Sequence, residues 1–258
     1  MRSRSYQTRG IVLKSPSLKE ADLLITLCTP ENGKIKAVAK GASKSTSRLV
    51  GHLETLNHTQ LTLSKSKNID FITQAEVITS FRNIKKNFQR LTTAANLTDL
   101  TNEFMIEAPG HSGIFQLLFA SLTALEKPEF NAIIPPFFKL RLLTITGFEP
   151  NFSSCTVCET KNLISCKNFS LKNGGILCNT CATSNQPTIY IKAIILQTIK
   201  KLQLIVKISQ LLNIKMLSSD IEEFENILNV FTNYQLDKEP NSQKFIRKLK
   251  QAGKIYTT

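Results

Sequence analysis

The sequence contains Cys155-Thr-Val-Cys158 and Cys178-Asn-Thr-Cys181, two C-x2-C pairs separated by the nineteen residues 159–177. That spacing matches a four-thiolate zinc site. Each pair forms a tight turn that aims two sulfurs at one point, and the connector lets the turns meet tetrahedrally. Gly174-Gly175 supply permissive backbone just before the second pair. Four protein ligands leave no open position for water or substrate, so the expectation is one Zn2+ ion with a structural role. Two disulfides or a redox C-x-x-C are the competing readings. Thiols in a reducing cytosol rarely pair stably, which favours the metal.

Two cysteines stand outside this pattern. Cys28 lies in an apolar, strand-like run and reads as a small core residue, and Cys166 lies in the connector and reads as a surface thiol or a spare ligand. The chain has 258 residues, of which 41% are hydrophobic, enough for two domains with real cores. Met1 to Gly10 is basic but no long apolar segment follows, so no secretory signal is expected. The longest apolar stretch, Ile114 to Leu125, is too short to cross a bilayer. A soluble, cytoplasmic chain without membrane association is the expectation.

Thirty-three Lys and Arg against nineteen Asp and Glu give a formal charge of +14. Such an excess points to a polyanionic partner. In the first fifty residues Arg2, Arg4, Arg9, Lys14, Lys19, Lys34, Lys36, Lys40, Lys44 and Arg48 face only Glu20, Asp22 and Glu31, a net of +7 on a fifth of the chain. Solubility alone does not require that concentration.

Residues 6–80 read as five short strands. These are Ile11 to Leu13, Leu23 to Leu27, Ile35 to Ala39, Leu53 to Leu63 and Ile69 to Ile78, with Glu31-Asn32-Gly33 a hairpin turn between the second and third. Gly41 to Ser47 reads as a mobile small-residue loop. Five strands over about eighty residues suit a small barrel such as the OB-fold, and a five-stranded sandwich fits the same pattern. On the third strand Lys34, Lys36 and Lys40 would share one face, extended by Lys44 and Arg48, as a stripe able to follow a phosphate backbone. A solvated face without ligand is the plain alternative. Tyr6 and Phe71 are the main aromatic candidates there, so electrostatic contact is better supported than base stacking.

After Phe81 the period becomes helical. Ile84, Phe88, Leu91, Ala95, Leu97, Leu100 and Phe104 mark one helix, stopped by Ala108-Pro109-Gly110. A second covers Ser112 to Leu125 with Ser112 as its N-cap, and a third runs from Pro135-Pro136 to a C-cap at Gly147. Beyond the cysteine module, Ile191, Ile195, Ile199, Leu202 and Val206 mark another helix. Ser219-Asp220 would cap the next, and a basic helix covers Ser242 to Lys250. The fold expectation is therefore α+β and multidomain: an OB-fold barrel over residues 1–80, then an all-α domain over 81–258 with a zinc module inserted at 151–184.

Nucleotide-binding glycine motifs and H-E-x-x-H are absent from the sequence, and Ser154 and Leu177 stand where the P-C-x-x-C of zinc deaminases needs proline. His52, His58 and His111 read as surface or loop residues. No enzymatic activity is expected. Lys161, Lys167 and Lys172 would offset the charge of about −2 that four thiolates leave around Zn2+.

Barrel, helical domain and inserted cysteine module, in that order, resemble the RecO family of bacterial DNA repair proteins. The resemblance rests on Arg9 to Lys14, Glu20-Ala21-Asp22, Gly33-Lys34-Ile35, Ala39-Lys40-Gly41, Ser47-Arg48, Arg141 to Leu143, Gly147 to Pro150, Gly174 to Cys178 and Ser242 to Leu249. It implies a recombination mediator that binds single- and double-stranded DNA and anneals strands covered by single-strand-binding protein. It also implies help from RecR in loading RecA. By matching position, Lys14, Lys34, Lys36, Lys40, Lys44 and Arg48 are the implied DNA contacts. RecR would touch the barrel, and the acidic tail of single-strand-binding protein a basic-rimmed apolar groove among the helices. A zinc-ribbon adaptor that binds acidic proteins and no DNA is the alternative.

Overall fold

A computed structural model describes residues 5–44, 46–108, 112–183, 187–205 and 207–252. By its internal contacts the chain forms two compact units, Met1–Pro128 and Glu129–Thr258.

In the first unit five strands close into a barrel: β1 (Ser5–Lys14), β2 (Leu23–Thr29), β3 (Gly33–Ala39), β4 (His58–Ser64) and β5 (Asp70–Thr79), in the order β1-β2-β3-β5-β4. All neighbours are antiparallel except β3 and β5, which is the OB-fold arrangement. Successive strand residues point to opposite faces. Ile25 with Leu27, Ala37 with Ala39, and Leu61 with Leu63 therefore fill the interior, joined by Val12, Leu23 and Ile72. The turn after β2 behaves as its residues require. Gly33 takes φ +66°, and the Thr29 hydroxyl donates to its carbonyl oxygen at 2.8 Å.

Three expectations need correction here. The fourth strand begins at His58, not Leu53, because Val50–His52 forms a 3-10 turn that buries Leu53 and Leu56 under the barrel. The helix after Phe81 is two: α1 (Arg82–Lys86) and α2 (Phe88–Phe104), broken at Asn87, whose side chain accepts from the Arg90 N–H at 3.0 Å. Ala94 rather than Ala95 faces inward. The Pro109-Gly110 stop and His111 lie outside the described residues. α3 (Ser112–Glu126) already includes Ser112. In the Gly41–Ser47 loop, among the described residues, Gly41 N–H donates to the Asp22 carboxylate and Ser43 N–H to the Ala21 carbonyl, while Lys44 N–H returns to Gly41 and Ser47 N–H to Lys44.

The second unit opens with α4 (Ile134–Ile145), whose Pro135 and Pro136 sit in the first turn, where no intrahelical N–H is missed. It ends in a Schellman motif. Gly147 takes φ +82°, its N–H reaches the Thr144 carbonyl at 3.2 Å, and the Phe148 N–H reaches Leu143 at 2.8 Å. A small sheet follows, β7-β6-β8, from β6 (Asn168–Ser170), β7 (Gly175–Leu177) and β8 (Ile189–Tyr190). The remaining helices are α5 (Ala193–Gln203), α6 (Ser218–Leu236) and α7 (Asn241–Gln251).

Two helix starts differ from expectation. Ile191 precedes α5 and bonds to Lys167, while Val206 lies outside the described residues. Asp220 does not cap α6 through its side chain: it is buried and accepts from Lys192 at 2.9 Å. A buried carboxylate needs a charged partner more than the helix end needs a cap.

Candidate metal centre and nucleic-acid interface

The sulfurs of Cys155, Cys158, Cys178 and Cys181 all lie within 4.8 Å of one another. Sulfurs at about 2.3 Å from a tetrahedral ion stand roughly 3.8 Å apart, and Cys158 and Cys178 are 3.7 Å apart. An S–S bond would need about 2.0 Å, so neither disulfide of the competing reading is formed, and all four are free thiols. The donor set fits zinc.

Local backbone builds this cluster. In the first turn the Glu159 N–H returns to the Cys155 carbonyl at 2.9 Å, with Glu159 at φ +59°. In the second, Cys181 and Ala182 N–H groups return to Cys178 at 3.0 and 2.9 Å. Gly175 lets the two halves meet, since a Cβ there would stand 2.5 Å from the Asn151 carbonyl oxygen and 2.7 Å from Thr156 Cγ2. The Cys178 N–H donates to Cys155 Sγ at 3.4 Å.

Burial pushes Cys155 up, but backbone N–H groups at Cys158, Cys178 and Val157 outweigh it and bring the thiol to about 6. The Cys181 N–H lowers Cys178 likewise, while the neighbouring sulfurs of Cys178 and Cys158 push Cys181 up to about 12. Four sulfurs this close cannot all ionise unaided. A dication at their centre would replace the retained protons.

Cys166 corrects an expectation. It is fully buried, not a surface thiol, and burial raises its pKa. Lys161 and Lys172 are exposed and Lys167 is half-buried, and none of the three makes an ion pair among the described residues. They remain able to balance the thiolates.

In the first unit, β3 presents Lys34, Lys36 and Val38 outward, because Ile35, Ala37 and Ala39 turn inward, and Lys40 continues the outer row. The row is not uniformly open. Lys14 Nζ pairs with Asp99 at 3.2 Å and Glu103 at 3.6 Å, Lys36 pairs with Glu107 at 2.6 Å, and Lys34 Nζ donates to the Asn102 carbonyl at 2.8 Å. These partners belong to the last turns of α2 or follow it. The final carbonyls of a helix lack internal partners and its C-terminal end is negative, so acids there need cations nearby. Three of the six expected DNA contacts thus hold α2 to the barrel. Burial lowers Lys34, against the pull of Glu107.

Lys40, Lys44 and Arg48 are exposed and have no carboxylate partner among the described residues. Lys40 Nζ sits 4.4 Å from the centre of the Phe71 ring, and Lys65 Nζ sits 5.4 Å from that of Tyr6.

Sequence reasoning missed the acids of α2. Asp99 and Glu103 are spaced as helix neighbours, but nothing in their spacing says which face meets a barrel. It also misplaced His58, which is buried between Phe115 and Phe119 of α3, with both ring nitrogens unpartnered. Burial, then the charge of Arg9, lowers its pKa to about 4. His52 is half-buried, and its Nδ1 accepts from the Val77 N–H at 3.3 Å. No helix of the described residues is long and apolar enough to cross a membrane.

Comparison with known proteins agrees with this geometry. Residues 1–81 match the family described as recombination protein O N terminal, and residues 85–244 match recombination protein O C terminal. The DNA repair protein RecO of Dehalococcoides mccartyi is 29% identical over 250 residues, covering 96% of this chain and 97% of that protein. The same-named protein of Desulforudis audaxviator is 29% identical over 246 residues, covering 95% and 98%. That of Acetivibrio thermocellus is 31% identical over 246 residues, covering 94% and 96%. The chain belongs to the recombination protein O family.

Proposed function

We propose that this protein acts in DNA repair as a non-enzymatic recombination mediator. It would bind single- and double-stranded DNA, anneal complementary strands covered by single-strand-binding protein, and work with RecR to load RecA. The observation that carries this reading is the outward basic row of an OB-fold barrel in a chain of the recombination protein O family. Two DNA strands repel through their phosphates, and a cationic surface touching both lowers that repulsion while leaving base edges free to pair. Lys40, Lys44 and Arg48 are the readiest contacts, and Lys14, Lys34 and Lys36 would join only in exchange for their bonds to α2.

The four cysteines would hold one zinc ion that braces the fold and takes no part in annealing. We keep residues 1–80, 81–258 and 151–184 as barrel, helical domain and inserted zinc module. A cytoplasmic location follows from the same role.

A strand-annealing assay with and without single-strand-binding protein tests the function. Annealing that needs no nucleotide and falls steeply with salt is expected. The adaptor reading gains from the engagement of Lys14 and Lys36 with internal acids. It would replace the mediator reading if fluorescence anisotropy at low salt showed no binding to oligonucleotides.

A further inference from the structure

We propose that Phe71 is a stacking site for one unpaired base of single-stranded DNA, with Lys40 as its phosphate partner. This rests on the DNA-binding reading above. Strand register supports it. Phe71 pairs with Ser64 of β4 and with Val38 of β3, while the next residue, Ile72, turns into the core. Phe71 is therefore on the outer face of the barrel, beside the buried Val38 and in continuation of the row Lys34, Lys36 and Lys40. The ring is half-buried, so one part is anchored and another is open to a ligand.

The two ends of that row differ. At the Lys34–Lys36 end the cations are met by α2. At the other end the Lys40 ammonium rests over a ring face, with no carboxylate partner among the described residues. An ammonium over a ring at an exposed site is held only weakly. A base stacked on an aromatic ring, with the same cation moved onto the adjoining phosphate, gains more. Asp70, the nearest acid in sequence, already accepts from the Tyr6 hydroxyl at 2.8 Å and the Ser66 N–H at 3.0 Å. Both donors are neutral, so the carboxylate keeps its charge, but the two bonds hold it on Tyr6 and Ser66. Tyr6 itself packs against the core cluster, so Phe71 is the ring that faces outward.

Stacking needs an unpaired base, so the site favours single strands, whereas the lysines act on phosphates of either form. Every base offers a π-face, so little sequence preference is expected.

The chain contains no tryptophan, so Phe71→Trp places one reporter at the site. Titration with oligo-dT should quench its emission, and duplex DNA or an abasic oligonucleotide of equal length should not. In parallel, Phe71→Ala should weaken oligo-dT binding about 5- to 100-fold and change duplex binding less than about twofold. Circular dichroism melting would show that both variants fold. Binding of oligo-dT without quenching, together with equal loss on single and double strands in Phe71→Ala, would overturn the stacking site and leave the mediator reading intact. Absence of any DNA binding by the unaltered protein would overturn both.

Discussion

Lys36 Nζ stands 2.6 Å from the Glu107 carboxylate, so a cation on the outer face of the barrel is paired with an acid just past the end of α2. The hydrogen bond from Lys36 holds Glu107 below the usual carboxylate range. Both side chains are about half exposed, so the pair contributes at most about 1 kcal/mol to stability. Phosphate and carboxylate compete for one ammonium. Glu107→Gln should therefore leave the melting temperature nearly unchanged, raise DNA affinity several-fold at low salt, and steepen the log–log salt slope by about one. Anisotropy titrations at several salt concentrations measure both quantities. If neither moves, Lys36 does not contact phosphate.

The cysteine cluster predicts one zinc ion per chain by elemental analysis of protein purified under reducing conditions. Cys178→Ser should abolish it and destabilise the second unit by an amount on the order of several kcal/mol. Because Cys181 holds its proton up to about 12 without an ion, uptake should release protons and weaken as pH falls. A chromophoric chelator followed between pH 6 and 8 reads this directly.

Gly175→Ala should damage the same module without touching a ligand. The added Cβ would meet the Asn151 carbonyl oxygen at 2.5 Å, a backbone atom that cannot swing aside. Reduced zinc content and a lower melting temperature are expected. A fully loaded, equally stable variant would show that the backbone there adapts.

His58 predicts acid sensitivity in the first unit. Its folded pKa is about 4, below the ordinary 6.5, so the unfolded chain binds the extra proton first as pH falls. The stabilising contribution is complete above about 6.5 and is lost progressively as pH falls towards 4. Melting temperatures measured from pH 7.5 to 4.5 should fall, and His58→Phe, which suits the ring pair of Phe115 and Phe119, should flatten that dependence by roughly a few degrees. An equally steep profile in the variant would assign the acid response to other groups.

Lys139 predicts an asymmetry. It is fully buried in α4 and pairs with Glu225 of α6 at 2.5 Å. Glu225→Ala leaves a buried ammonium alone, which costs about 3–5 kcal/mol. Lys139→Met keeps the volume and leaves a carboxylate that reaches solvent, which costs under about 1.5 kcal/mol. Urea unfolding of the two variants should show that order, and the reverse order would mean that Lys139 is held by more than this pair.

The strongest agreements between sequence and structure are at residues whose chemistry acts locally. Two C-x2-C pairs bend their own turns, Gly147 takes the left-handed conformation that ends α4, and Gly33 turns β2 into β3. Alternation of apolar and basic residues in β3 placed Lys34 and Lys36 outside before any partner was known. Family resemblance added partners and roles that no spacing could supply. The misses are of another kind. Cys166 and His58 have polar or reactive side chains that suggest the surface, and tertiary packing buried both. Asp220 looks like a cap and became the partner of Lys192.

By itself the sequence determined the five strands of the barrel, the positions of most helices to within a few residues, and the four sulfurs of the candidate metal site, but not the short strands β6, β7 and β8 of the second unit. Each follows from preferences expressed within a few residues of chain. Only tertiary structure decided that α2 would bring Asp99, Glu103 and Glu107 against Lys14 and Lys36, leaving Lys40 beside Phe71. Coulomb and desolvation energies depend on distances between residues far apart in the chain, and those distances do not exist until the barrel closes and the helices dock.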